Sequence, residues 1–430
     1  MTLVRRIVPV LFIVALAGCG GDEAPVITGD PLATLAGRAV LPSDTFFPEP
    51  FPVGIALEPK INGRELPFDR VPVQGFSSLV PLDEGVMLVL QDNGFGTMAN
   101  SPDYPLRWFR LKPDFESRDT KGGPIEVIDF TPWADPGGLI PFEITRPDSG
   151  RWLTGADLDP ESFVLMDDGS CWVGEEFGPS LVHVAADGTI LDKPVAVPVV
   201  PPLRRFSRGS PVLRTPDHPD LRFMSHRDKR EELANLPRSG GLEGLARNAT
   251  GTLLYVAVEK PMLDDPERRR RVILEFSPAR HGFTGRYWMY FTDGPNVSIA
   301  SLEMAAPGVM LVLERDTGEG KSAKVKRIYR TELGHVDNEG DLVKTLVCDL
   351  LNIDDAAGLT KKERGAVGLG NPYGFPYVTP ECLAVIDATT LLVANDNNYP
   401  MSAGRRPDDT PDDNELILLK LHEPLWDGDR

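Results

Sequence analysis

One pattern recurs five times along this chain and sets the terms for everything else. A short strand-like run opens on a small or acidic residue, turns through a polar segment, runs apolar, and closes on an acid or amide. In Ser239–Lys260 the run Leu242–Ala246 carries Glu243 near its start, turns at Asn248–Gly251, continues apolar from Leu253 to Val258 and closes on Glu259. This is the signature of a β-hairpin, and a hairpin places the start of its first strand beside the end of its second, so Glu243 and Glu259 are predicted at one end. The others run from Ser77 to Asp92-Asn93, from Glu161 to Glu175-Glu176, from Ala300 to Glu314-Arg315 and from Glu381 to Asn395-Asp396, at intervals of 14–16 residues. Repetition at this scale indicates radial or linear repeats rather than a single globular sheet.

Between hairpins the chain supplies two further apolar runs per repeat. They are Leu106–Leu111 and Ile125–Phe130, Leu181–Val184 and Ile190–Val197, Val272–Phe276 and Tyr287–Phe291, and Val325–Tyr329 and Leu342–Leu346. Four strands per repeat make one propeller blade. The fold class is therefore all-β, a β-propeller of five four-stranded blades, with Phe51–Phe68 left open as a sixth, incomplete one. Leu32–Leu41 precedes the first repeat, and its natural neighbour is Glu415–Leu421, so the N-terminal strand is predicted to close the ring. Helical patterning is scarce, with Arg227–Leu236 the best candidate, and the Pro- and charge-rich stretches Val200–Pro237 and Asn352–Thr379 read as surface loops.

Met1–Cys19 has the form of an export signal: Arg5-Arg6, then the apolar run Ile7–Leu16, too short for a comfortable membrane span. Leu16-Ala17-Gly18-Cys19 resembles a bacterial lipobox. The expected organisation is a signal peptide over 1–18, a lipidated Cys19 with a tether over 19–31, and the propeller over 32–430. That organisation implies an exported protein, anchored by lipid to the bacterial envelope, with Gly20 fitting outer-membrane sorting. Membrane contact is expected through the anchor only. A net charge of −19 disfavours nucleic acid and anionic lipid surfaces. Cys171, Cys348 and Cys382 leave two readings, one disulfide with a free thiol or three buried thiols.

The chain has no GxSxG, no HExxH and no EF-hand spacing, and GEGKS at 318–322 lacks the first glycine of a P-loop. Its candidate chemistry lies in the hairpin ends. Innermost propeller strands line the central channel, so two sets of side chains are predicted at one mouth. The entry set is Glu161, Glu243 and Glu381, with Ser77 and Ala300 as uncharged members. The exit set is Asp92, Glu175, Glu259, Glu314 and Asp396. Crowded carboxylates need counter-charge to stay ionised, and oxygen-only ligands favour Ca2+. The competing reading has the same acids pairing with Lys260, Arg315 and backbone amides to brace adjacent blades.

The hairpins GFSSL…LVLQDNG, DPESF…GEEFGP, GGLEGLA…LYVAVEK, SLEM…LVLERD and PECLAV…LLVANDNN, in this order, resemble the bacterial phytase-like family, also called "esterase-like activity of phytase". The resemblance runs from about Leu32 to Leu421. Two elements depart from it: Gln74–Ser78 stands where the family usually has Gly-Gly-Leu-Ser-Gly, and Ala300 stands where an acid often lies. The resemblance implies a propeller related to calcium-dependent alkaline phytases, whose channel-mouth carboxylates hold Ca2+ for binding phosphate and activating water. It implies a hydrolase of phosphoric esters acting on a small, phosphorylated molecule. Glu243, Glu259, Lys260 and Arg315 are then the candidate catalytic residues, and Lys321 a further phosphate contact. A carboxylester activity rests on the family name. The alternative from another class is a non-catalytic, calcium-stabilised propeller lipoprotein that binds a ligand or partner. The oligomeric state is left open.

Overall fold

The computed structural model describes residues 29–148, 150–224, 226–406 and 410–426. The expected signal peptide and the lipidated Cys19 lie outside the described residues, as does the tether up to residue 28.

Five sheets of four antiparallel strands stand in a ring. Blade one is Phe76–Pro81, Met87–Gln91, Arg107–Lys112 and Glu126–Pro132. Blade two is Pro160–Leu165, Cys171–Glu175, Ser180–Val184 and the two-residue Val195–Ala196. Blade three is Leu242–Arg247, Leu254–Val258, Arg270–Ser277 and Gly282–Phe291. Blade four is Ser298–Ala306, Val309–Arg315, Lys326–Val336 and Leu342–Asp349. Blade five is Thr379–Asp387, Thr390–Asp396 and Asn414–Leu421, and Ala33–Leu41 supplies its outer strand. The N-terminal strand thus closes the ring as the sequence predicts, pairing Ala33 with Leu421 through to Leu41 with Asn414.

The strand period explains how the blades adhere. Successive side chains point to opposite faces of a sheet, so each blade shows one apolar set to either neighbour. In Val309–Arg315, Met310 and Val312 join the core shared with blade three, while Leu311 and Leu313 join the core shared with blade five. Five such cores fill the five gaps, which is why the inner hairpins read as nearly unbroken apolar runs. Truncating one of these leucines to alanine costs about 2–5 kcal/mol.

The possible sixth blade is absent. Its segment forms two small ribbons, Phe46–Val53 with Phe68–Pro72 and Lys60–Ile61 with Arg64–Glu65. Pro48, Pro50 and Pro52 remove ladder donors, so only three residue pairs form along the longer ribbon. Cys171, Cys348 and Cys382 are free and buried, each in a different inter-blade core, which resolves the cysteines in favour of buried thiols. The insertion 200–237 holds the short helix Arg227–Leu233 and drives Leu203, Phe206, Leu213 and Leu236 into the core between blades two and three.

Candidate metal centre

The ring positions its inner residues through one local device, repeated five times. In blade one Phe76 pairs with Gln91 and Ser78 with Leu90, which leaves Ser77 as an extra, unpaired residue. The same irregularity leaves out Glu161, Glu243, Ala300 and Glu381 in blades two to five. A bulge of this kind re-aims its extra side chain out of the strand's alternation. The five innermost strands contact one another in sequence around the ring, and the fifth touches the first, so the bulged residues gather at the axis. On the returning strand, the residue just beyond the pair that precedes each bulge is Asp92, Glu176, Glu259, Arg315 or Asp396.

These positions build a compact acidic cluster. Carboxylate oxygens of Asp159, Glu161 and Glu176 lie within 4.8 Å of one another, as do those of Glu161, Glu243 and Glu381, and those of Glu176, Glu243 and Glu259. Asp92 and Asp396 adjoin them electrostatically. None of these eight acids is more than 9% exposed. Two cations face them. Arg315 Nη2 lies 3.3 Å from Glu243 Oε1, 3.4 Å from Glu259 Oε1 and 3.2 Å from Glu381 Oε1. Lys260 Nζ lies 3.1 Å from Glu259 Oε2 and donates to the Ser239 carbonyl. Neutral donors fix part of the set: Gly94 N–H to Asp92 at 2.8 Å, Asn398 N–H to Asp396 at 2.8 Å, and the Asn93 side-chain amide to Asp159 at 2.6 Å. Glu243 Oε2 and the Ser77 hydroxyl are buried without a hydrogen-bond partner. Gly75 is required beside Asp92: it has φ +71°, and a Cβ there would stand 2.2 Å from Asp92 Oδ1.

The electrostatics follow from burial and like charge. Burial first, then neighbouring carboxylates, push Asp92, Asp159, Glu161 and Glu243 well above the usual carboxylate range. Glu381 is likewise raised, chiefly by burial and against the pull of Arg315. Burial and the Glu259 charge bring Glu176 to about 7, and burial brings Asp396 to about 6. Burial opposes the charge on Arg315, but Glu243, Glu259 and Glu381 outweigh it and hold the guanidinium protonated. Ionising the whole set against two cations costs several kcal/mol per unpaired ion, and that cost falls away when a hard cation enters.

Of the sequence-predicted site residues, the ring brings Asp92, Glu161, Glu243, Glu259, Glu381, Asp396, Arg315 and Lys260 together. Glu175 and Glu314 lie outside the cluster. Glu175 accepts the Phe177 and Gly178 N–H groups at 2.9 and 2.8 Å and closes the turn after its strand. Glu314 accepts the Tyr290 hydroxyl at 2.6 Å and the Asp293 N–H at 2.8 Å, and pairs with Lys344. Both are one position early, and a one-residue slip sends a strand side chain to the other face. Their successors Glu176 and Arg315 occupy the axis. Lys321 is exposed on the 3-10 turn Gly320–Ser322. Asp159 was not predicted, and Glu176 only as the neighbour of Glu175. The signal for Glu176 was the interval itself, since bulge to axial exit is 15 residues in four blades and 16 in blade three.

A second row of polar groups lies at the far tip of blade two. His183 Nδ1 is 2.8 Å from Asp192 Oδ2, and Nε2 is 3.0 Å from Ser170 Oγ. This connectivity resembles a nucleophile–base–acid relay. The Ser170 hydroxyl also donates to Asp168 Oδ1 at 2.6 Å, and the Ser170 N–H donates to the same oxygen at 2.9 Å. These bonds brace the turn Asp168–Ser170.

Residues 71–399 match the family described as phytase-like, esterase-like activity of phytase. An uncharacterized secreted protein of Arthroderma benhamiae is 24% identical over 319 residues, covering 65% of this chain and 59% of the relative, so the chain matches less than two thirds of that protein's length. Among solved structures, the calcium-binding protein regucalcin from Agrobacterium tumefaciens strain C58 is 14% identical over 94% of this chain and 98% of its own, with a TM-score of 0.32. A beta-1,3-galactosidase with galactodeoxynojirimycin is 10% identical over 90% of this chain and 94% of its own, with a TM-score of 0.40. These two structural likenesses carry no argument about activity.

Proposed function

This chain belongs to the phytase-like, esterase-like activity of phytase family, and from that premise we propose that it is an exported, Ca2+-dependent hydrolase of small phosphoric esters. One observation carries the reading: eight buried carboxylates drawn from four blades converge on the axis against two cations, with Glu243 Oε2 left without a partner. The donor set fits a hard divalent ion, because it is oxygen throughout and includes no His or Cys. Asp159, Glu161, Glu176, Glu243, Glu259 and Glu381 would hold it. When bound, Ca2+ neutralises phosphate oxygens and lowers the pKa of bound water.

The chain's own residues have distinct parts in this reading. Arg315 and Lys260 add positive charge that draws an anionic ester to an otherwise acidic mouth. Asn93, Gly94 and Asn398 orient Asp159, Asp92 and Asp396 through the bonds given above. Glu176, which burial and the Glu259 charge bring to about 7 in the ion-free chain, would give up its proton on becoming a ligand. Export agrees with the similarity to a secreted protein and with the leader-like Met1–Cys19. No helix among the described residues is long and apolar enough to cross a membrane. The lipid anchor at Cys19 and outer-membrane placement belong to the same proposal.

The test is turnover of p-nitrophenyl phosphate and of an inositol phosphate, in Ca2+ and in EGTA, by the wild type and by Glu243→Gln and Glu259→Gln. Chelator-sensitive turnover that both variants lose, with their folding intact, supports the reading. The second reading is a non-catalytic propeller with a structural ion. It is favoured by the depth of the cluster, since every acid in it is at least 91% buried. Melting that depends on chelator, with no turnover of either ester, selects it.

A further inference from the structure

The five blades are not equivalent at the axis, and the odd one suggests how the cluster is filled. The axial exit is an acid in blades one, two, three and five, namely Asp92, Glu176, Glu259 and Asp396. Blade four places Arg315 there, and its bulge position is Ala300, which offers no ligand. The fourth blade therefore departs at both of its axial positions, and in the same electrostatic sense: one possible acid is missing and one cation is added. A single nitrogen, Arg315 Nη2, lies 3.2–3.4 Å from carboxylates on blades three and five. Three carboxylates around one cationic atom is what a bound ion would make.

The three carboxylate triads differ in their relation to this guanidinium. The Glu161–Glu243–Glu381 and Glu176–Glu243–Glu259 triads each contain two of its partners. The Asp159–Glu161–Glu176 triad contains no direct ion-pair partner of it, although Glu161 and Glu176 feel its charge, and Asn93 holds its Asp159 in place with two donated bonds. Like charges at contact distance repel, so a divalent ion and Arg315 compete for the shared oxygens. The orphaned Glu243 Oε2 shows that Arg315 does not satisfy its own side of the cluster fully.

We propose that Arg315 is a tethered counter-cation that fills the blade-four share of the axial cluster and confines exogenous Ca2+ to the Asp159–Glu161–Glu176 triad, setting the number of ions the chain takes. This rests on the cluster being a cation site, as proposed above. Arg315 is here a residue that fixes stoichiometry and position.

The experiment counts Ca2+ per chain by native mass spectrometry and by calorimetric titration of chelator-treated full-length protein. Melting temperature with and without Ca2+ is read alongside. Arg315→Gln is expected to bind at least one more Ca2+ than the wild type, to melt lower in chelator, and to gain more from Ca2+. Arg315→Lys keeps the charge and is expected to keep the wild-type count. Asp159→Asn is expected to weaken the wild-type ion at least tenfold. An Arg315→Gln count equal to that of an ion-binding wild type overturns the inference and leaves the Ca2+ reading standing. No ion on either protein overturns both. An ion on Arg315→Gln but none on the wild type supports Arg315 as the counter-cation and overturns Ca2+ in the native chain. If Arg315→Gln does not fold, an extra ion on Arg315→Lys overturns the inference, and an unchanged count together with loss of the ion in Asp159→Asn supports it.

Discussion

Glu415 and the axial carboxylates are equally buried, yet they stand in opposite electrostatic situations. Glu415 Oε1 receives Arg38 Nε and the Tyr373 hydroxyl, and Oε2 receives the Tyr377 hydroxyl and, at 2.9 Å, Arg405 Nη2. Burial alone would raise this carboxyl, but Arg405 and Arg38 overcome it and hold it well below the usual range. Every lone pair that faces the interior is matched within the chain. On the axis, eight acids share two cations, and Glu243 Oε2 has neither a hydrogen bond nor an ion pair. The first arrangement is complete by itself and serves to fasten the outer strands of blade five, since Arg38 lies on the N-terminal strand. The second is complete only with something added. Burial of charge is thus no guide to function, whereas mismatch of buried charge is.

The contrast can be broken or sharpened by experiment, beginning with the largest effect. Arg405→Met leaves Glu415 Oε2 without its cation, with Arg38 alone on Oε1, and should cost about 3 kcal/mol in urea unfolding, with or without Ca2+. A loss under about 1 kcal/mol would mean that the pocket is not the closed circuit described. Next, saturating Ca2+ should stabilise the chelated wild type by about 2.7 kcal/mol at a hundredfold excess over Kd, read as a shift in Tm. An unchanged Tm would remove the distinction between the two regions.

Glu161→Gln gives a smaller effect but a change of sign. Glu161 makes no ion pair with Arg315, so its removal in chelator should relieve repulsion from Asp159, Glu243 and Glu381 and stabilise by about 1 kcal/mol. In Ca2+ the same variant should be less stable than the wild type.

The slope of stability with pH is the finest test. Asp92, Asp159, Glu161, Glu176, Glu243, Glu381 and Asp396 bind protons more tightly folded than unfolded. In chelator their contribution is full below the unfolded values, about 3.9 for Asp and about 4.3 for Glu, and it is lost as pH rises through about 6 for Asp396 and about 7 for Glu176. Glu415 runs the other way: its contribution is full above the unfolded value and is lost only as pH falls below it. Chelated protein should therefore lose stability between pH 5 and 8, at most about 1.4 kcal/mol per pH unit for each proton released. Glu176→Gln should flatten that slope and Glu415→Gln should not.

Much of this architecture was legible in the residues, because a propeller writes its repeat into apolar runs and closing acids. The five blades, the closing partnership of Ala33–Leu41 with Asn414–Leu421, and the bulge positions Glu161, Glu243 and Glu381 all follow from spacing. The failures were of register. Blade two closes on Glu175-Glu176 and blade four on Glu314-Arg315, and alternation decides which member faces the axis. Holding the interval at 15 residues would have selected the second member in both cases. Asp159 carries no such signal, since it lies in the approach to its strand and earns its place through Asn93. The Glu415 pocket joins residues 38, 373, 377, 405 and 415, and no local pattern connects an arginine on the first strand with a tyrosine in a distant loop.

The bulges have a consequence for how such a molecule can change over time. Because the extra residue stands outside the strand's pairing, the ladder does not dictate its identity, although in blade four Ala300 also packs into the core shared with blade five. Serine, alanine and glutamate already occupy it in a single chain without altering the wall behind. Selection can therefore rewrite the inner rim one letter at a time, exchanging ligand for spacer, while the barrel of blades stays as it was.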